Sequence, residues 1–348
     1  MPKPRSPRCA RAASSHDRRS VAVTTPREPL NDYIFYVDVF SFCNQRCPSC
    51  VVGNKYGSLS DWPHGLMSPD LLARILDKAV DECRVAAVGL YNWTEPLLHP
   101  EIAELISVVN ARGIDSWISS NLNVLRDPEA ILRAAPTWLR ISLSGFTQEI
   151  YARGHREGNI ETVKRNMRRL AEAKEAVGNI GTHIDVIYHE YIDNRHETGA
   201  MRDFATSLGF HFSTMLAQIF PVEKIIAIAD GQETPADRTL LNRLALPLER
   251  ALAVTSALKA PSCGLLDDMI VLDVAGNVML CCGSSMERSN AVGHFLDYPI
   301  EELQRRRRQL TLCRRCLDLG IPTYFHGHDA FAQLAAEHEI NRAGARTH

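Results

Sequence analysis

The chain lacks any apolar run of about 20 residues, the length a bilayer-spanning helix needs. It also lacks a strong charge of either sign. With 39 Lys and Arg against 41 Asp and Glu, the formal net charge is −2. That balance argues against a chain-wide surface for nucleic acid or for an anionic membrane. No internal repeat is visible, which excludes solenoids and propellers. No apolar segment follows Arg18 and Arg19, so a twin-arginine export signal is not expected. The first thirty residues are rich in Arg, Ser and Pro and read as a disordered tail. The remainder of the 348 residues can bury one large core and carry an appendage.

Cysteine is not scarce: there are ten. In a chain of this length, clustered spacings favour metal ligation in a reducing cytoplasm over a disulfide framework. Cys43, Cys47 and Cys50 form C-x3-C-x2-C directly after a strand-like stretch at 33–40. Four thiolates complete a four-iron cluster, so three leave one iron open to a small molecule. Zinc is the alternative, but it needs a fourth nearby ligand, and His64 is poorly spaced for that role. The second group is Cys263, the pair Cys281 and Cys282, then Cys313-x2-Cys316. Four of these close a cluster or a structural zinc site. Cys83 reads as a small core residue, and Cys9 lies in the tail.

Apolar runs alternate with helical patterns along residues 33–220. Ser68-Pro69 and Asp127-Pro128 start helices with an N-cap and a proline at N1. Strands are expected at 85–91, 116–119, 139–143, 184–188 and 210–216. Such alternation implies a parallel sheet with right-handed crossovers and ligands at the strands' carboxyl ends. Residues 221–260 read as a polar linker and one helix over 240–258. Residues 269–272 and 278–280 then read as a β-hairpin. The run Arg305 to Arg308 reads as the solvated face of a helix.

The cysteine triplet resembles that of the radical S-adenosylmethionine (radical SAM) superfamily. The resemblance extends through Tyr91-Asn92-Trp93-Thr94-Glu95-Pro96, where the superfamily holds the methionine amino group, and the match is Glu95. It implies an α/β fold: a partial (β/α)6 barrel at 31–220, a linker and helix at 221–260, and a small C-terminal β-hairpin/helix domain at 261–348. That last part resembles the twitch, or SPASM-like, auxiliary-cluster region. By the same resemblance Cys43, Cys47 and Cys50 hold the four-iron cluster that binds S-adenosyl-L-methionine. Ser119, Asn121, Ser142, Ser144 and Tyr188 are expected to contact the ribose, carboxylate or adenine. Cys263, Cys281, Cys313 and Cys316 are expected to hold an auxiliary four-iron cluster. Where superfamily members often have an aromatic before the third cysteine, this chain has Ser49.

The stretch 139–169, with its basic loop at Arg153 and Arg156, resembles carbohydrate- and antibiotic-tailoring members. It implies a hydroxylated small-molecule substrate and a flavodoxin or ferredoxin as reductant, with no nucleic-acid or membrane partner. Three outcomes stay open. Cys282 as hydrogen-atom donor gives an epimerase on an aminoglycoside, sugar or aminocyclitol, which is the leading expectation. Electron loss to the auxiliary cluster gives a dehydrogenase. Modification of a peptide is third, since no peptide-recognition domain precedes the barrel. Cys282 in place of Cys281 as cluster ligand also remains open.

Overall fold

A computed structural model describes residues 32–54, 61–258 and 262–344. The expected tail at 1–30, with Cys9, lies outside these residues. Among the described residues, nine strands form one sheet in the order β6-β5-β4-β3-β2-β1-β7-β8-β9. β1 (Asp32–Val37), β2 (Arg84–Gly89), β3 (Asp115–Ser120), β4 (Trp138–Leu143), β5 (His183–Glu190) and β6 (His211–Leu216) pair parallel in sequence order. This is the mixed α/β architecture of a partial barrel.

The crossover helices cover one face because their sequences repeat apolar residues at helical spacing. Ser68 caps the helix Pro69–Glu82 by accepting from Leu71 N, and Leu72, Ile75, Leu76 and Ala79 are its buried stripe. Asp127 caps Pro128–Ala134 in the same way. The strands contribute alternate residues to that core: Phe35, Val88, Ile118, Leu139, Ile141, Ile184, Val186 and Tyr188. The intervening residues therefore point to the opposite, inner face, away from the helices. Cys83 is a buried core residue, as its position at the helix end suggests.

Two features differ from the sequence reading. The hairpin of β7 (Met269–Leu272) and β8 (Asn277–Met279) does not stand apart. β7 pairs parallel with β1, from Ile34↔Met269 to Val37↔Leu272, and β9 (Ala291–His294) adds a further antiparallel strand. Segment 221–258 is not a linker and one helix. It holds three helices, Val222–Ala229, Pro235–Leu241 and Leu248–Leu258. Pro247 splits the run at 240–258, because a proline disfavours helical backbone at the residue before it. These helices bury Val222, Ile225, Leu240, Leu244, Ala251 and Leu252 against Ile321 and Tyr324.

Candidate active site

The cysteine loop leaves the carboxyl end of β1 and runs into the short helix Val51–Asn54. Local bonds shape it. Arg46 Nη1 donates to the carbonyls of Cys43 (2.6 Å) and Gln45 (2.7 Å), and Cys50 N donates to Cys47 O. Gly53 is required here. A Cβ on it would lie 2.0 Å from Cys47 O, so a side chain would force the loop open. Gln45 Nε2 donates to Tyr151 Oη at 2.9 Å, which anchors the loop to the element after β4.

The three thiols are near enough to act on one another. Burial, with the neighbouring thiols and Glu95 adding to it, pushes Cys43 up to about 12 and Cys47 well above its ordinary value. Burial pushes Cys50 up to about 11. Among the described residues, no three His, Cys, Asp or Glu side chains converge as they would around a single ion, and every described cysteine is free.

Glu95 is buried beside this loop. Its carboxylate accepts from Leu97 N (3.0 Å), Ser120 Oγ (2.7 Å) and Asn121 N (2.8 Å). Burial still raises it to about 7. An ammonium placed against it would reverse that shift, so the site suits the amino group of S-adenosylmethionine. Asn121 donates to Asn44 Oδ1 at 2.9 Å and lies 3.9 Å from Cys43 Sγ. The loop carrying Glu95 is fastened by a residue the sequence reading missed. Asp38 Oδ1 accepts from the backbone N–H groups of Asn92, Trp93 and Thr94 and from Thr94 Oγ1. Burial raises its carboxyl to about 6.

Ser142 and Ser144 lie nearby, each paired with a histidine. Ser142 Oγ is 2.9 Å from His189 Nε2, and Ser144 Oγ is 2.8 Å from His155 Nδ1. The His155 ring stacks on Tyr151, which ties this pair back to the cysteine loop. Ser119 sits on the inner face as the register partner of Arg140. Tyr188 is not brought to the site, which corrects its expected adenine contact. It is fully buried in the helix-side core, with its hydroxyl donated to Asn194 O at 2.8 Å. The alternation of Ile184, Val186 and Tyr188 on one face was the available signal.

Burial lowers His155 to about 3 and His189 to about 4, so both are neutral near pH 7. A base depressed in the folded state contributes stability that is full above its unfolded value, about 6.5, and lost as pH falls. Each histidine is expected to remove about 1.4 kcal/mol per pH unit below 6.5. The raised carboxyls of Asp38 and Glu95 act with opposite sign but are common to wild type and variant. Urea midpoints of the wild type and of a His155→Gln, His189→Gln double variant between pH 6.5 and 4.5 isolate the difference. Parallel pH curves would refute it.

The thiols of the second cysteine group are also near enough to act on one another. Cys263 precedes the helix Gly264–Asp267, Cys281 follows β8, and Cys313 and Cys316 share one face of the helix Thr311–Asp318. Burial comes first in raising Cys313 to about 12, and Cys281 and Cys263 add to it. Cys316 is raised for the same reasons, with Cys313 contributing too. Cys282 adjoins both this group and the sheet: burial, then Cys281 and Cys263, raise it, its Sγ lies 3.8 Å from Met269 Sδ, and it is close enough to Tyr36 and Tyr91 to raise both, after burial.

Arg307 corrects the reading of its arginine run. Arg305 and Arg306 pair with Glu302 and Arg308 with Asp267, as a solvated face should. Arg307 is fully buried and donates to the carbonyls of Leu280 (2.7 Å), Met269 (2.7 Å) and Leu266 (3.1 Å), and to Gln304 Oε1 (2.8 Å). The thiols of Cys281, Cys313 and Cys282 are near enough to act on it. A buried guanidinium whose hydrogen-bond acceptors are all neutral suits a group of thiolates, so these residues fit an anionic cluster.

A helix-covered parallel sheet, with three cysteines at the end of its first strand and a buried acid at the end of its second, defines a class. Residues 37–199 match the family model of the Radical SAM superfamily. The chain is 25% identical over 164 residues to the tungsten-containing aldehyde ferredoxin oxidoreductase cofactor-modifying protein of Pyrococcus furiosus. That match spans 45% of this chain and 44% of the relative. Two solved structures share the fold. Streptococcus suis SuiB bound to precursor peptide SuiA has a TM-score of 0.53 at 13% identity, covering 84% of this chain and 71% of that one. Native anSMEcpe with bound AdoMet has a TM-score of 0.51 at 16% identity, covering 90% and 99%. No described helix is long and apolar enough to cross a membrane.

Proposed function

We propose that this protein is a radical SAM epimerase acting on a carbinol carbon of a sugar, aminocyclitol or aminoglycoside in antibiotic or other secondary-metabolite biosynthesis. When bound, the first cluster and S-adenosylmethionine supply a 5′-deoxyadenosyl radical that takes a hydrogen atom from a C–H bond of the substrate. Cys43, Cys47 and Cys50 would hold that cluster, and Glu95 the methionine ammonium. Asn121, Ser142 and Ser144 would offer polar contacts along the cofactor, and Ser119 lies deeper on the inner face. Cys263, Cys281, Cys313 and Cys316 would hold the auxiliary cluster.

One observation carries the choice of epimerisation. Cys282 adjoins not only Cys281 but also Tyr36, which the strand alternation places on the inner face, and Tyr91, whose ring packs on Tyr36. A thiol there can return a hydrogen atom to the face opposite the one that lost it. The S–H bond breaks, a C–H bond forms, and the resulting thiyl takes one electron from the reductant, a flavodoxin or ferredoxin, and one proton from water. The inner face fits a hydroxyl-rich ligand, since Tyr36, Tyr91, Ser119 and Ser142 all belong to it. Dehydrogenation of the same alcohol, with the auxiliary cluster as electron acceptor, is the second reading. It is favoured by the buried Arg307 beside those thiols, which would make a cluster there easier to reduce. Peptide modification is the third, because the SuiB structure holds a precursor peptide.

The test is anaerobic turnover in deuterated water with S-adenosylmethionine, a reductant and a panel of aminoglycosides, sugars and aminocyclitols. An isomeric product carrying one deuterium, absent with Cys282→Ala, is expected. A product two mass units lighter from both proteins would establish dehydrogenation instead.

A further inference from the structure

Strand register arranges the inner face in layers. At the amino ends of the strands Trp117, Trp138 and His183 are neighbours across β3, β4 and β5. One layer higher, toward the cysteine loop, comes Arg140. Its guanidinium stands 4.9 Å over the Trp138 ring and faces Tyr36, Tyr91 and His189. Each of those three is an uncharged group near pH 7. The register partner on β5 is Asp185, but that carboxylate is turned to His211 Nδ1 (2.9 Å) and Ser213 Oγ (3.3 Å). Arg140 Nε is buried and without a hydrogen-bond partner among the described residues, as is Trp138 Nε1 beside it.

A buried donor left unmatched on a partly exposed cation is expensive unless an acceptor arrives, and a negative one suits the charge best. A guanidinium offers a planar fork that fits a carboxylate with two parallel bonds. We infer that Arg140 binds a carboxylate of the substrate, so that the substrate is a hydroxylated acid, such as a uronic or aldonic acid, rather than a neutral or purely cationic sugar. This rests on the inner face being the substrate site, and it narrows that reading to one substrate class. The carboxylate would lie deep, against Arg140 and the indole N–H of Trp138, with the carbinol carbon raised toward the cysteine loop and Cys282.

The chemistry Arg140 reads could also come from the methionine carboxylate of S-adenosylmethionine, and the experiment separates the two. Cluster-loaded protein with S-adenosylmethionine, kept oxidised, is titrated calorimetrically with matched pairs: D-glucuronate against D-glucose, D-gluconate against D-glucitol, glycerate against glycerol. At least one carboxylate is expected to bind about tenfold or more tighter than its neutral partner. Arg140→Met is expected to abolish that preference, and Arg140→Lys to keep part of it, with unfolding midpoints reported for both. No preference in any pair, or a preference surviving in Arg140→Met, overturns the proposal. A tenfold loss of S-adenosylmethionine affinity in Arg140→Met also overturns it, by assigning the guanidinium to the cofactor. Binding is read without turnover, so the result stands whether the product is an epimer or a ketone.

Discussion

Replacing Arg307 with methionine is expected to cost about 3–5 kcal/mol of folding stability, the range for breaking a buried charged network. Five acceptors lose this donor at once: the carbonyls of Leu265, Leu266, Met269 and Leu280 and the side chain of Gln304. Methionine fills much of the volume but donates nothing, and buried acceptors left unmatched carry their desolvation cost. Arg307→Lys keeps the charge but not the fork, so its loss should be smaller. Urea midpoints of the three proteins measure this directly. The same carbonyls belong to the segments that carry Cys263, Cys281 and Cys282. Iron bound per chain should therefore fall in Arg307→Met more than in Arg307→Lys. A methionine variant within about 0.5 kcal/mol of wild type would show that Arg307 is a surface-like residue.

Asp38→Ala is the second large effect. It strips one acceptor from three backbone N–H groups and a hydroxyl that all meet Asp38 Oδ1. Orphaned donors cost about 1–3 kcal/mol each when buried, and partial access of water lowers the sum to about 3–5 kcal/mol. Asp38→Asn is the discriminating partner. Its amide oxygen can accept the same bonds, and burial already works against the charge of the native carboxylate. The asparagine variant is therefore expected to stay within about 1 kcal/mol of wild type. Because residues 92–94 lead into Glu95, the alanine variant should also weaken S-adenosylmethionine binding by about 10- to 100-fold, a range typical of lost supporting contacts around a metal site. Equilibrium binding of S-adenosylmethionine to the three proteins checks it. Equal affinities would separate the Asp38 brace from the acid it precedes.

Much of this architecture is legible in the sequence because it is local. Ser68 and Asp127 announce helix starts with their own side chains, and β-branched runs mark the strands. The three cysteines near the amino end lie within eight residues, so their meeting is set by one loop. What was not legible depends on partners far along the chain. That β7 lies beside β1 is a pairing across more than 230 residues, which no local pattern encodes. Arg307 sits in a run of four arginines whose side chains look alike in sequence, and burial of one is decided by carbonyls around 40 residues away. Arg140 gave no signal beyond its place in a strand, although alternation with Leu139 and Ile141 already assigned it to the face opposite the core. Tyr188 shows the converse, where period two was visible and position at a strand end outweighed it.

The pairing of β7 with β1 has a consequence for how such a chain can change over generations. The strand that delivers Cys43 and the hairpin that delivers Cys281 and Cys282 are joined by a hydrogen-bonded ladder, not by the more than 230 residues of chain between them. Insertions at the exposed turn around Gly231 can therefore lengthen the polypeptide without moving one cysteine group relative to the other. Lineages are free to elaborate that outer segment for new substrates while the spacing between the two groups is inherited unchanged.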